Sequence, residues 1–188
     1  MQILLLSKIY FDNSWSLFLD RDGVINEKLE NDYVKCWAEF KFKDGALEAI
    51  AGLGQIFGRV IVVTNQRGVG LGCMTEEILN KIHDNMLAKV VSVSGRIDKV
   101  YYCTGVDDSS KCRKPNIGMG LRAKKDFPEI EFSKSIIVGD SISDIEFGNN
   151  IGMKTVFIGD KSKYEEVGCL LKFNSIIDFY FAIFRENN

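Results

Sequence analysis

The residues Trp15-Ser16-Leu17-Phe18-Leu19-Asp20-Arg21-Asp22-Gly23-Val24-Ile25-Asn26 place two carboxylates at i and i+2, directly after a short apolar run. Such a run, closed by a turn signal, reads as a buried strand. Side chains two apart on an extended chain share a face, so Asp20 and Asp22 can both reach one small volume. Carboxylates that close together raise each other's pKa unless a cation or a proton lies between them. Alone, the pair would also fit a solvated turn, so the ends of the other strands decide its meaning.

Three further clusters follow predicted strands. Val63-Thr64-Asn65-Gln66 leads into a Gly-rich loop, Arg113-Lys114-Pro115 closes a polar loop, and Gly139-Asp140-Ser141 is followed one helical turn later by Asp144. Ligands of open α/β sheets bind outside the carboxyl ends of the strands, so these groups converge on one rim. Asp20, Asp22 and Asp140 offer hard oxygen ligands, or close neighbours, for Mg²⁺. Thr64 offers a hydroxyl and the backbone N–H groups that follow it, a cradle for phosphate oxygens. Lys114 adds a compact positive charge that serves a phosphate and screens the acids. Together they suit phosphoryl transfer, which depends mainly on positioning and electrostatic stabilisation.

The elements that must hold these groups alternate. Strands are predicted over 15–20, 59–64, 97–102, 135–139 and 154–158, with a short sixth over 170–173. Helices are predicted over 45–57 (Asp44 as N-cap), from Thr75 to about Val93, and over 117–126, 142–150 and 175–184. The continuous β-branched run Val60-Ile61-Val62-Val63 marks a strand covered on both faces. This order predicts an α/β fold, a doubly wound, Rossmann-like, mostly parallel sheet with right-handed crossovers. His83 reads as an unremarkable helix histidine, since no second histidine exists to complete a ligand set. The 188 residues are read as a single domain, 1–188, with 1–14 as an N-terminal extension. Within that extension, Gln2 to Tyr10 reads equally as a short helix or an edge strand.

Composition narrows the partners. A formal net charge of −2 argues against a nucleic-acid partner or an acidic membrane surface. No segment is long and apolar enough to span a bilayer. The five cysteines, Cys36, Cys73, Cys103, Cys112 and Cys169, are odd in number and irregularly spaced. They do not form a disulfide framework, which points to free thiols in a reducing cytoplasm. The expected state is a monomer or weak oligomer acting on a small phosphorylated substrate.

The four clusters resemble the signature motifs of the haloacid dehalogenase superfamily of phosphatases. Within it, the stretches 20–26, 62–70, 101–119 and 139–152 are similar to D,D-heptose 1,7-bisphosphate phosphatases and the related histidinol-phosphatase branch. The resemblance implies a Mg²⁺-dependent phosphomonoesterase that hydrolyses a small sugar phosphate through an aspartyl-phosphate. It implies that Asp20 is the nucleophile and Asp22 the general acid and base. Asp20, the Asp22 backbone carbonyl and Asp140 would bind Mg²⁺, with Asp144 orienting that site from behind. Thr64 and Lys114 would hold the phosphoryl group, while Asn65, Gln66 and Arg113 contact substrate. The heptose enzymes also carry a four-ligand zinc loop. Here Cys103 and Cys112 match two ligands, but Gly105 and Ser110 replace the others, so no structural zinc is expected. No room remains between the motifs for a large cap domain, so an open site is expected. Alternative activities are a histidinol-phosphate phosphatase and a nucleic-acid 3′-phosphatase. The non-enzymatic alternative is a phospho-acceptor or phosphate-sensing module.

Overall fold

The computed structural model describes residues 9–160 and 168–187, so most of the Gln2 to Tyr10 segment lies outside the described residues. Six parallel strands, β1 (Ser16–Leu19), β2 (Arg59–Asn65), β3 (Lys99–Cys103), β4 (Ser135–Gly139), β5 (Lys154–Ile158) and β6 (Leu171–Phe173), form one sheet. Their order is β3-β2-β1-β4-β5-β6. The chain builds outward from β1 to one edge, then crosses back to β4 and builds to the other. The strand order therefore reverses between β1 and β4, which opens a crevice at their carboxyl ends.

The helices are α1 (Ala46–Ile56), α2 (Arg67–Gly70), α3 (Glu76–Ser92), α4 (Gly118–Asp126), α5 (Ile142–Ile151) and α6 (Ile176–Asn187). Strand alternation divides the core between the two faces of the sheet. Leu17, Leu19, Val60, Val62, Ile136 and Val138 pack in one layer with Ile50 and Leu53 of α1, Leu79 and Met86 of α3, and Phe179 of α6. Phe18, Ile61, Val63 and Ile137 pack on the other face with Met119, Ala123 and Phe147. All four residues of β1 and all five of β4 are buried, so the site grows from two fully buried central strands. Among the described residues no helix is long and apolar enough to cross a membrane.

Two local expectations are corrected. Asp44 does not cap α1; the N-cap is Gly45 at φ 73°, a left-handed conformation that suits glycine, and no side chain caps the helix. The third strand starts two residues later than predicted, at Lys99. Asp98 explains the delay, because its carboxylate accepts the Val60 N–H at 2.7 Å and pairs with Arg59 and Arg96. Thr75 does cap α3, its Oγ accepting from the Ile78 N–H at 3.2 Å.

No cap domain is inserted among the described residues. The segment 27–43 instead forms a loop fixed by an aromatic cluster, with the Phe40 ring 5.0 Å from both Trp37 and Phe42. That loop forms one wall of the crevice.

Candidate active site

The β1 turn is held close to β4. The Asp20 N–H donates to the Val138 carbonyl at 2.9 Å, and the Gly23 N–H closes the turn onto Asn26 at 2.7 Å. Gly23 has φ 93°, and a Cβ there would overlap the Asp140 carboxylate. Glycine is required both by the backbone and by this close approach. The turn thus brings Asp20 and Asp140 to the crevice from neighbouring strands.

Lys114 joins the acids from the far side. Its ammonium donates to Asp20 Oδ1 at 2.8 Å and to the Val63 carbonyl at 2.7 Å, and it pairs with Asp144 Oδ1 at 2.5 Å. Asn65 clamps the lysine backbone, accepting the Lys114 N–H at 2.9 Å and donating to its carbonyl at 3.1 Å. Asp144 is fixed in turn by the start of α5, where the Ser141 N–H and hydroxyl donate to its Oδ2 at 3.0 and 2.6 Å. Burial works against the charge on Lys114, but the carboxylates of Asp144 and Asp20 outweigh it and raise its pKa. Burial pushes Asp20 the other way, up to about 7, with Asp144 and Asp140 adding to the rise and Lys114 opposing it.

Asp22 borders the same crevice with a separate set of partners. Arg21 Nη2 donates to both of its oxygens at 2.9 Å, Asn26 donates at 2.9 Å, and Gln66 donates at 2.9 Å. Gln66 also donates to the Thr64 hydroxyl at 2.8 Å, which ties the end of β2 to the β1 turn. Burial alone would raise the Asp22 pKa, but Arg21 and these amides outweigh it, so the carboxyl is held below its ordinary value. Arg21 is 1% exposed and its remaining Nη1 lies 3.1 Å from Nε2 of His83. Burial, and then the Arg21 charge, push the imidazole down to about 3. His83 is therefore neutral and accepts from the guanidinium, a role that its place in the helix pattern did not reveal.

The acids fit a hard cation. Carboxylate oxygens of Asp20, Asp140 and Asp144 lie within 4.8 Å of one another. Asp140 Oδ1 is buried with no hydrogen-bond partner, an orphan that a cation would satisfy. Its other oxygen accepts from Lys28, at 2.8 Å. Burial raises the Asp140 pKa against the pull of Lys28, as expected for an acid held where a cation belongs.

The loop after β3 departs from the expectation of free thiols. Cys103 and Cys112 form a disulfide, with their Cα atoms 5.5 Å apart. Turn hydrogen bonds within 107–118 fold this loop back on the strand end, so residues nine apart meet. Ser110 Oγ lies 3.5 Å from Cys103 Sγ and 3.4 Å from Cys112 Sγ, and a Cβ on Gly105 would overlap Ser110.

The crevice itself encloses about 310 Å³. Asp20, Thr64 and Lys114 meet at its base, while Leu29, Tyr33 and Val34 of the 27–43 loop form a wall and Arg67 and Arg113 stand at the rim. The Arg113 Nη1 donates weakly to the Gly105 carbonyl at 3.5 Å; its Nε lies 3.5 Å from Asp108 and makes no hydrogen bond.

Residues 111–166 match the HAD-hydrolase-like family model. A D-glycero-α-D-manno-heptose-1,7-bisphosphate 7-phosphatase of Mycobacterium bovis is 39% identical over 140 residues, covering 74% of each chain. A D-glycero-β-D-manno-heptose-1,7-bisphosphate 7-phosphatase of Pseudomonas aeruginosa is 36% identical over 143 residues, covering 76% of this chain and 79% of its own. Among solved structures, D,D-heptose 1,7-bisphosphate phosphatase from B. bronchiseptica, complexed with magnesium and phosphate, superposes with a TM-score of 0.82. It is 28% identical, and the match covers 92% of this chain and 99% of that one.

Proposed function

The chain belongs to the heptose bisphosphate phosphatase branch of the haloacid dehalogenase superfamily, and from that premise we propose that it removes one phosphate from a heptose 1,7-bisphosphate. It is a phosphatase, and the observation that carries this reading is the Asp20–Lys114–Asp144 array at the reversal of strand order. We read residues 1–188 as one catalytic unit.

In this reading Asp20 attacks phosphorus in line, forming an acyl-phosphate bond as the bond to the sugar oxygen breaks. Asp22 gives the departing alkoxide its proton, then takes one from the water that cleaves the aspartyl-phosphate. Its resting carboxylate borders the crevice, ionised and held by Arg21, so it takes up a proton from solvent before it gives one to the leaving oxygen, and loosening the Arg21 fork favours that uptake. Lys114 neutralises the array and offers charge to the transferring oxygens, and Thr64 adds its hydroxyl. Asn65 and Gln66 spend their amides within the protein, on Lys114 and on Asp22 with Thr64. They therefore set the positions of those groups as well as bordering the substrate. Asp20, Asp140 and the Asp22 backbone carbonyl would hold Mg²⁺, with Asp144 behind them. When bound, the ion supplies charge stabilisation to the phosphoryl oxygens.

Two features favour a small bisphosphate. Arg67 and Arg113 add positive charge to the crevice lining beyond that of Lys114, whereas Lys28 is already paired with Asp140. The 27–43 loop also walls a volume of about 310 Å³, which suits a sugar better than a nucleic-acid end. The test is phosphate release with Mg²⁺ from both anomers of D-glycero-D-manno-heptose 1,7-bisphosphate, histidinol phosphate, p-nitrophenyl phosphate and a 3′-phosphorylated oligonucleotide. One heptose anomer should give the highest kcat/KM. A heptose rate no better than that of p-nitrophenyl phosphate would remove the substrate assignment.

A further inference from the structure

Arg21 is a buried guanidinium with few partners. Its Nε and Nη2 face Asp22, its plane lies over the Phe40 ring at 5.9 Å, and Nη1 reaches across to helix α3. There the acceptor is Nε2 of His83, which is 4% exposed and lies beside the Tyr102 ring at 5.6 Å. A guanidinium removed from water needs its donors satisfied, so its orientation follows the acceptors around it. Among the described residues, His83 supplies the hydrogen-bond partner of the fork on the side opposite Asp22. Without it, Nη1 would be buried with no acceptor and the Arg21 fork would shift to find one, altering the pose it imposes on Asp22 while Asn26 and Gln66 still hold the carboxylate.

We propose that His83 is a positioning residue for the acid–base carboxylate: it anchors Arg21, and Arg21 sets the pose from which Asp22 reaches the leaving oxygen. This rests on the role given to Asp22 above. A purely structural histidine would affect folding, or all substrates alike. A positioning role instead predicts a loss confined to reactions that need the proton from Asp22. An alkoxide leaving group needs that proton, whereas p-nitrophenolate departs without it.

The test pairs two polar substitutions that differ in reach. In His83→Gln the side-chain oxygen falls near the place of Nε2 and can accept from Arg21. In His83→Asn it falls near Nδ1 and cannot. With Mg²⁺ and the full chain, His83→Asn should lower kcat on a sugar phosphate about tenfold or more, with KM within about twofold, part of the 10²–10⁴ that general acid catalysis supplies. The pre-steady-state release of p-nitrophenolate should stay within about twofold of the parent, since that step does not draw on the acid. His83→Gln should recover most of the loss. Equal losses on both substrates, no loss on either, or no difference between the two variants at equal melting temperature would overturn the proposal. Asp22→Asn serves as the control. If it shows no dependence on leaving group, the acid–base role itself fails; if it does and His83→Asn does not, only the positioning role fails. Should His83→Asn not fold, Arg21→Lys, which keeps the charge but cannot bridge to His83, carries the same expectation.

Discussion

The ends of β1 and β3 make opposite use of the same fold. At the end of β1 the catalytic candidates are held both within their own turns and from other strands: Lys114 by Asn65 and Val63 of β2, Asp144 by Ser141 of its own helix start, and Asp22 by Arg21 and Asn26 of its own turn and by Gln66 after β2. At the end of β3, the loop 104–111 is held by its own turn bonds and by one covalent link, Cys103–Cys112. In the first region, changing one residue strands another in the interior. The second is closed on itself by the disulfide, with Ser110 lying against both sulfurs. The comparison teaches that the chemistry belongs to the cross-strand network. The β3 loop contributes the approach to it.

The largest effect should come from breaking the β1 end at its nucleophile. Asp20→Asn keeps an oxygen for Lys114 and removes a buried like charge, so the melting temperature should hold or rise. Its kcat should fall roughly 10³–10⁶-fold, the scale on which removing a nucleophile acts. Appreciable turnover in this variant would detach the chemistry from β1.

Lys114→Met comes next, and it tests whether the network is one unit. It leaves the Asp20 and Asp144 carboxylates buried without their shared cation, which should cost about 3 kcal/mol in the metal-free protein. The kcat should drop about 10²–10³-fold, as on removing a transition-state donor. Denaturant melts with and without Mg²⁺ check the first figure, and steady-state kinetics the second. A marked recovery of stability on adding Mg²⁺ would sharpen the case that both cations answer the same acids.

Breaking the β3 loop should separate stability from chemistry. Cys103→Ser, or reduction of the wild type, releases a short loop and should cost about 2–3 kcal/mol by the chain-entropy account. The kcat should change far less than in Lys114→Met, and any change should appear chiefly in KM for the heptose substrate. Thermal melts with and without reductant, beside kinetics on heptose bisphosphate and p-nitrophenyl phosphate, read both quantities. A loss in kcat as large as that of Lys114→Met would erase the distinction between the two regions.

The two regions also differed in how much could be read from sequence. Asp20, Thr64, Lys114 and Asp140 were visible because each directly follows a strand or closes a loop that must end on the same rim. The doubly wound parallel sheet followed from the alternation of strands and helices, and the burial of β2 on both faces from its β-branched run, whereas the order of the strands did not. The partners were not visible, because they depend on contacts between distant positions. His83 meets Arg21 across 62 residues, and Lys28 meets Asp140 across 112. Helical periodicity marks His83 only as an inward-facing position, whatever it touches there. The Cys103–Cys112 bond was missed for a related reason: an odd, irregular set of cysteines excludes a framework of bridges but leaves a single local bridge open. The Gly45 cap was hidden because Asp44 is the better capping residue by type, and backbone conformation overrode it.

The smallest predicted effect is the one most particular to the β1 end. In the metal-free protein, burial together with Asp144 and Asp140 pushes Asp20 up to about 7, and Asp140 is raised as well. A group whose folded pKa lies above its unfolded value stabilises the fold at low pH, and that contribution is lost as pH rises through the folded value. The metal-free protein should therefore lose stability between about pH 4 and 7 at this cluster. Mg²⁺ binding runs the other way, since the cation must displace the proton wherever one is held. Below pH 7 its apparent affinity should weaken by up to about tenfold per unit for one proton released, and above pH 7 it should level off. The rise in melting temperature on adding Mg²⁺ should accordingly be larger at pH 8 than at pH 6. Asp20→Asn should flatten that difference, whereas Cys103→Ser should leave it intact, because the β3 loop carries no acid of the cluster. A pH-independent Mg²⁺ shift in the parent would mean that the acids at the strand end do not share a proton, and that Lys114 alone balances their charge.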